Sequence, residues 1–332
     1  MSGPSRILGV NQMSTLSVRV TAVAKAALDV RQLQLALPDG APLPAYEPGS
    51  HIDVHLGPSL VRQYSLCGEC GDLSTYTIAV KREANSRGGS RAVHESLSVG
   101  TELKISRPRN NFPMAADAEH SLLLAGGIGI TPLISMARAL QAGGRSFELA
   151  AFSRSLDHLA FRADLETGKL APSSRIHHGL SRDDTEAALR AHLSARRENA
   201  HIYLCGPAPF MATGQALARA LGWPEEAIHI EHFAPASAPA TGADEWFEVR
   251  LSRTGVVIPV APAQTIVDAM RARGMDVETS CEQGVCGTCI TSVLSGEPDH
   301  RDCFLTAREH AKGDCMAICV SRSRSPLLVL DL

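Results

Sequence analysis

Cys281-Glu-Gln-Gly-Val-Cys286-Gly-Thr-Cys289 sets three cysteines at the spacing C-x4-C-x2-C, and Cys319 follows after a long interval. That is the ligand pattern of a plant-type [2Fe–2S] cluster. Four thiolates must converge on two irons, so a loop supplying three of them has to curl tightly. Gly284 and Gly287 suit that, because glycine takes positive φ at little cost and lets amide N–H groups approach the cluster. Zinc sites usually pair two C-x2-C knuckles, and only Cys286 and Cys289 are so spaced. Nine cysteines is an odd count, and disulfides need an oxidising compartment. Cys303, Cys315 and Cys319 are all candidates for the fourth ligand. The chain leaves the loop and must return to it, which suits the most distant, and Cys303 and Cys315 read as small buried side chains.

At 332 residues the chain exceeds one ordinary core and calls for two or three domains. It is 44% hydrophobic and 20% charged, a globular balance. The net charge of −3 offers no basic field to nucleic acid. No apolar run approaches the roughly 20 residues that span a bilayer, and the first ten residues hold no secretory h-region. The expectation is a cytoplasmic protein, monomeric, with reduced thiols and no membrane or nucleic-acid partner. Met13 reads as a natural start behind a disordered leader.

Working back from the cysteine loop, Gln264–Arg273 reads as a helix with Ile266, Val267 and Met270 inward and Gly274 as its cap. Trp246–Leu251 and Val256–Val260 flank Ser252-Arg-Thr-Gly255 as a hairpin. Hairpin, helix and metal loop make a compact module over residues 245–332. Residues 235–244, rich in Pro, Ala and Ser, read as a linker.

Residues 14–112 hold short alternating runs broken by Pro38-Asp-Gly, Pro48-Gly and Gly71-Asp. The runs are Val18–Val23, Leu33–Leu37, Ile52–Leu56, Tyr76–Lys81 and Glu102–Ile105, so about six strands predict a small antiparallel barrel. Alternation places Arg62 and Tyr64 on one strand face and Ser65 on the other. An arginine fork grips phosphate, an aromatic ring lies along a flat heterocycle, and a hydroxyl bonds a ring nitrogen. Gly88-Gly89-Ser90 precedes a helix start whose N–H groups suit phosphate.

Residues 113–234 change texture. Ser121-Leu-Leu-Leu-Ala is a continuous apolar strand, followed by Gly126-Gly127-Ile-Gly129-Ile-Thr131-Pro132. Thr131 suits a helix N-cap, with Pro132 first inside the helix. Further strands at Phe147–Phe152, Arg175–His178 and Ile202–Cys205 alternate with helices at Thr185–Leu193 and Pro209–Leu221, which means a parallel sheet. Ligands bind beyond the strand C-termini of such sheets, where the glycine turn and Cys205-Gly206-Pro207 both fall. No acidic residue ends the second strand; Ser153 and Arg154 stand there, and Arg154 suits a 2′-phosphate. Asp183-Asp184 reads as a helix start, and His229, His232 and His177-His178 as structural.

Taken together, these stretches resemble the phthalate dioxygenase reductase family, which joins a ferredoxin-NADP⁺-reductase-like core to a C-terminal plant-type ferredoxin domain. The resemblance runs from about residue 15 onward, through Arg62-Gln-Tyr-Ser-Leu-Cys, Ala79-Val-Lys-Arg, Gly88-Gly-Ser, Gly126-Gly-Ile-Gly-Ile-Thr-Pro-Leu, Tyr203-Leu-Cys-Gly-Pro-Ala-Pro-Phe-Met, Glu231-His-Phe, the cysteine loop and Ile318-Cys319-Val-Ser-Arg. It implies an antiparallel FMN-binding β-barrel at 14–112, an NAD-binding α/β domain at 113–234 and a β-grasp ferredoxin domain at 245–332. Arg62 would hold the FMN phosphate with Gly88, Gly89 and Ser90, while Tyr64, Ser65 and Ala79, Val80 and Lys81 would lie at the flavin. Gly127, Gly129, Thr131, Arg154, Gly206 and Pro207 would meet the pyridine nucleotide. Ser65, Thr131, Cys205 and Glu231 would serve the hydride step, with Phe233 closing over the flavin. Cys281, Cys286, Cys289 and Cys319 would hold the cluster.

The implied chemistry follows from what each centre carries. NADH yields two electrons as hydride, a flavin accepts both and releases them singly, and the cluster takes one at a time. The implied partner is a terminal oxygenase with an iron–sulfur (Rieske) centre. A zinc-stabilised redox sensor or scaffold and a stand-alone flavin reductase are the competing readings; NADPH for NADH and FAD for FMN stay open.

Overall fold

The computed structural model describes residues 15–57, 60–84, 88–233 and 245–332; the leader before Met13 and the 235–244 linker lie outside the described residues. Among the described residues three main sheets follow one another along the chain, with a two-stranded pair beside the third.

The first holds β1 (Leu16–Ala27), β2 (Val30–Ala36), β3 (His51–Gly57), β4 (Leu60–Ser65), β5 (Tyr76–Lys81) and β6 (Glu102–Ile105), with helix α1 (Gly89–Ser96) between the last two. All its pairs are antiparallel, in the order β4-β3-β6-β1-β2-β5. A bridge from Leu66 to Ile78 ties the end of β4 to β5 and closes the barrel. Alternation sends Val18, Val20, Leu33, Leu35, Ile52 and Val54 inward, all fully buried, each side chain contributing about 1.5–3 kcal/mol.

The second sheet is parallel: β7 (His120–Gly126), β8 (Ser146–Ser153), β9 (Ser174–His178), β10 (Ala200–Cys205) and β11 (Ile228–Glu231), ordered β11-β10-β7-β8-β9. Helices α2 (Ile130–Ala142), α3 (Arg162–Glu166), α4 (Arg182–Ser194) and α5 (Ala208–Ala220) lie among these strands. β7 is buried at every residue, as a strand covered on both faces must be. The strand order reverses between β7 and β10, which opens a crevice at their C-terminal ends. Ser181 caps α4 and puts Asp183 and Asp184 in its first turn, the helix start expected of that pair.

Thr131 does not cap α2. The Gly127–Gly129 turn is already helical and runs straight into α2 at Ile130, so Thr131 lies inside the helix and its hydroxyl donates to the Ile128 carbonyl at 3.0 Å. Pro132 is then the third residue of α2, within its first turn, where proline is tolerated.

The third sheet contains β12 (Phe247–Leu251), β13 (Val257–Val260), β14 (Ile290–Ser295), β16 (Cys315–Ala317) and β18 (Leu327–Leu330), ordered β13-β12-β18-β14-β16; β15 (Pro298–Asp299) and β17 (Arg322–Ser323) pair separately. The first and last strands lie parallel at its centre, and α6 (Ile266–Arg271) packs on β13 with Ile266, Val267 and Met270 buried, a β-grasp. A short helix, α7 (Ala307–Lys312), carries a Thr306–Glu309 capping box. Cys303 and Cys315 are half-buried rather than buried, because both sit on short outer segments of this small module.

Candidate functional site

Two cavities lie end to end at the junction of the three sheets. The first, of about 440 Å³, is lined by Arg62, Gln63, Tyr64 and Ser65 of β4, by Ala79, Val80 and Lys81 of β5, and by Gly89, Ser90, Thr131, Glu231 and Phe233. In the β3–β4 register Arg62 and Tyr64 pair with Val54 and Ile52 while Ser65 pairs with His51, so the alternation holds and residues of both faces border the cavity. A Cβ on Gly89 would stand 2.5 Å from the Arg62 side chain, so the bare α1 N-terminus lets the guanidinium lie against it. Arginine beside a helix N-terminus is an anion cradle, and the residues present fit a flavin phosphate. Gly88 sits one residue outside, at φ 92°.

Burial pushes the Glu231 carboxyl up to about 8, and its Oε2 has no hydrogen-bond partner among the described residues. A buried, protonated carboxyl with an unused oxygen is a group awaiting a ligand. Cys205 pairs with Glu231 in register on β10 and β11; it is fully buried, and burial first, then Glu231, raises its thiol. Cys205 lines neither cavity. His51, missed in the sequence, also lines the first cavity and is drawn down to about 4, chiefly by burial and then by Arg109, so it is neutral.

The second cavity, of about 640 Å³, lies beyond the C-terminal ends of β7, β8 and β10, lined by Gly127, Gly129, Arg154, Gly206, Pro207 and Phe233. A Cβ on Gly129 would fall 2.3 Å from the Cys205 carbonyl oxygen, so only glycine lets the β7 turn lie this close to the end of β10. The acidic residue absent from β8 comes from the barrel instead. Asp29, in the β1–β2 turn, stands 3.7 Å from both Arg154 and His158 at the cavity edge. No local pattern links Asp29 to Arg154.

Cys281, Cys286, Cys289 and Cys319 are all buried and free. Gly284 and Gly287 take φ of 69° and 76°. The amides of Gln283 and Thr288 point at Cys281 and Cys286 sulfurs at 3.3 and 3.5 Å. Hydrogen bonding between Cys281 and Cys286 pulls the Cys286 thiol down and pushes Cys281 up; Cys289 and Cys319 repeat the arrangement. Four buried sulfurs in two pairs, with amides aimed at them, fit a cluster. A separate group, His300, Asp302 and His310, gathers metal-ligating atoms nearby. Its imidazoles stack at 4.3 Å and 19°, so their lone pairs run side by side instead of converging on an ion.

The chain matches a 2Fe-2S iron-sulfur cluster binding domain over residues 249–324 and an oxidoreductase NAD-binding domain over residues 123–216. It is 46% identical to the vanillate O-demethylase oxidoreductase of Pseudomonas sp. (strain HR199 / DSM 7063), across 96% of this chain and all of that one. It is 39% identical to the phthalate dioxygenase reductase of Burkholderia cepacia, across 96% and 97%. A solved phthalate dioxygenase reductase superposes with a TM-score of 0.75 at 36% identity over 96% of this chain and 98% of that one. The chain belongs to the phthalate dioxygenase reductase family.

An intact type IV self-sufficient cytochrome P450 monooxygenase also superposes, at a TM-score of 0.82 and 35% identity, over 99% of this chain and 43% of that one. As a member of the reductase family, the chain is an NADH-dependent oxidoreductase with an NAD-binding domain and a [2Fe–2S] cluster domain. Among its described residues no helix is long and apolar enough to cross a membrane.

Proposed function

We propose that this chain takes electron pairs from NADH at the shared end of the two cavities and delivers them singly, through the cluster, to a terminal oxygenase bearing a Rieske centre. One observation carries the reading. Lys81, Glu83, Ile128, His232 and Phe233 line both cavities, while Cys281, Gln283 and Val285 of the cluster loop wall the first. Nucleotide, flavin and metal sites therefore form one contiguous series. The relatives named as demethylase and dioxygenase components supply the oxygenase class. In this reading the boundaries fall at 14–112, 113–234 and 245–332, and the protein acts as a monomer.

A bound flavin supplies hydride acceptance and single-electron release, and a bound cluster supplies a one-electron exit. The chain's own residues position. Arg62, with Gly88, Gly89 and Ser90, would hold the flavin phosphate; Tyr64, Ser65 and the Ala79–Lys81 backbone would confine the ring. Thr131 and the Gly127–Gly129 turn, with Arg154, Gly206 and Pro207, would orient the pyridine nucleotide toward it. Glu231, protonated at neutral pH, keeps negative charge away from the hydride path, while Cys205 packs behind it and Phe233 excludes water. Holding two partners in reactive register supplies the rate.

The test uses the isolated protein with its bound groups. NADH should reduce both ferricyanide and cytochrome c, and should reduce the Rieske signal of a purified Rieske oxygenase mixed with it. Cys286→Ser should abolish the last two and spare ferricyanide. Protein free of iron and acid-labile sulfide, or a Rieske signal untouched by NADH, would sink the proposal.

A further inference from the structure

We propose that Asp53 is a latch that seats the cluster loop on the barrel, and that this contact sets how fast electrons pass from the flavin cavity to the cluster. The inference rests on the electron-transfer reading above.

Asp53 lies on β3 and is 3% exposed. Its carboxylate accepts from Ser280 Oγ at 2.7 Å, from Arg109 Nη2 at 2.7 Å to each oxygen, and from Gln63 Nε2 at 3.1 Å. Gln63 Nε2 also reaches Ser280 Oγ at 3.0 Å. Ser280 is 5% exposed and comes from the cluster module, 227 residues away in sequence. Its neighbour is Cys281, which lines the first cavity. A second tie holds the other end of the same loop, where Asn111 Nδ2 donates to the Cys286 carbonyl at 2.9 Å. Both ends of the Cys281–Cys286 segment are thus fastened to the barrel, and the buried one is fastened through a charge.

A carboxylate suits this role because it only accepts, and several donors from two domains converge on it. Within the barrel alone, Arg109 and Gln63 would already satisfy it. The Ser280 bond is the part a purely structural role leaves unexplained. Electron transfer rates fall steeply with distance, so a loop that rocks on the barrel delivers electrons more slowly even with an intact cluster. Asp53 touches no reacting group; it is a positioning residue.

The variants are Asp53→Asn, which turns an acceptor toward donors into a mixed amide at unchanged size, and Ser280→Ala, which removes only the cross-domain bond. Both should retain wild-type iron content, the same EPR signature of the dithionite-reduced cluster, and the wild-type rate of NADH–ferricyanide turnover. In stopped-flow mixing with NADH, flavin bleaching should keep its rate. Cluster reduction should slow by about tenfold in Asp53→Asn and less in Ser280→Ala, as small misplacements do. Hydrogen–deuterium exchange should rise in residues 278–288 and stay unchanged in β3 and β6. Unchanged cluster reduction in both variants overturns the latch, as does exchange that rises equally across the barrel. Wild-type protein whose cluster NADH fails to reduce overturns the electron-transfer reading itself, whatever exchange shows for the latch.

Discussion

In the α/β half of the molecule, Gly127, Arg154 and Phe233 at the nucleotide cavity stand outside the core clusters, although Val30, Phe152 and Ala160 beside them belong to those clusters; in the cluster module, two of the four thiols are part of the core. Gly127, Arg154 and Phe233 line a crevice at the ends of strands whose packing is supplied by Leu123, Leu133, Leu149 and their neighbours. Cys289 and Cys319 belong to the same buried cluster as Val249, Ile266, Met316 and Leu328. The first arrangement lets a site change while its scaffold persists. The second makes the metal a part of folding, because a site that holds an ion only when folded returns its binding energy to the fold.

The largest effect should come where site and core coincide. Cys289→Ser should lower iron content and cytochrome c reduction by at least about a hundredfold, since even outer partners of metal ligands cost 10–100-fold. Iron removal should lower the module's thermal transition while the nucleotide domain's transition stays in place, a split that calorimetry resolves. One merged, unshifted transition would erase the contrast drawn here. In the nucleotide domain the strongest comparable change is Gly129→Ala. Its Cβ would press on the Cys205 carbonyl oxygen at 2.3 Å, so stability should fall by about 1–3 kcal/mol and KM for NADH should rise, with iron content unchanged.

Legibility in the sequence follows the same division. The continuous apolar run around Leu122–Leu124 declares β7 because a core cluster lies on each of its faces, and the alternation of Leu33–Leu35 declares β2 because one face meets the barrel core. In the cluster module the cysteine spacing was plain, yet β14, β16 and β18 were not. They are three to six residues long, and the sharpest local signal there, the capping box from Thr306 to Glu309, marks a helix of only six residues. At the sites, compact motifs pointed to Arg62, Tyr64, Gly129 and the three thiols of the loop, whereas spacing alone left the fourth thiol open among Cys303, Cys315 and Cys319. Pairs made by folding were not readable. Asp29 with Arg154, and Asp53 with Ser280, join segments whose order of residues carries no mutual pattern.

Glu231 sharpens the comparison from within the α/β half, because it is a site residue carrying an ionisation cost. Its folded value of about 8 lies above the ordinary 4.5. Between those two values the unfolded chain has released the proton and the folded chain has kept it. Stability should therefore fall as pH rises from about 4.5 to about 8, then level off. Glu231→Gln should remove that slope in thermal melts across this range and lift stability at the alkaline end. The NADH-driven bleaching of the flavin should decline through pH 8 in the parent and stay flat in the variant. Parallel pH profiles for the two proteins would show that the carboxyl is ionised throughout.

The smallest effect tests how far the nucleotide site extends beyond its own domain. Asp29 belongs to the barrel yet faces Arg154 and His158 at 3.7 Å each, beside the cavity at the end of β8. Acidic residues at this point of a nucleotide fold favour the ribose hydroxyl, and arginine accommodates a 2′-phosphate. Asp29 holds the Arg154 guanidinium in an ion pair, which predicts a restraint on 2′-phosphate binding. The Arg154 side chain is 72% exposed, so the pair is worth at most about 1 kcal/mol. Asp29→Asn should raise kcat/KM for NADPH by no more than about fivefold, with the NADH value changed little and the rise weakening at high salt. Adding Arg154→Ala should cancel the gain, because the freed guanidinium is its source. A gain that survives the double change would place the 2′-position away from β8, and the nucleotide site would then be the α/β domain's alone.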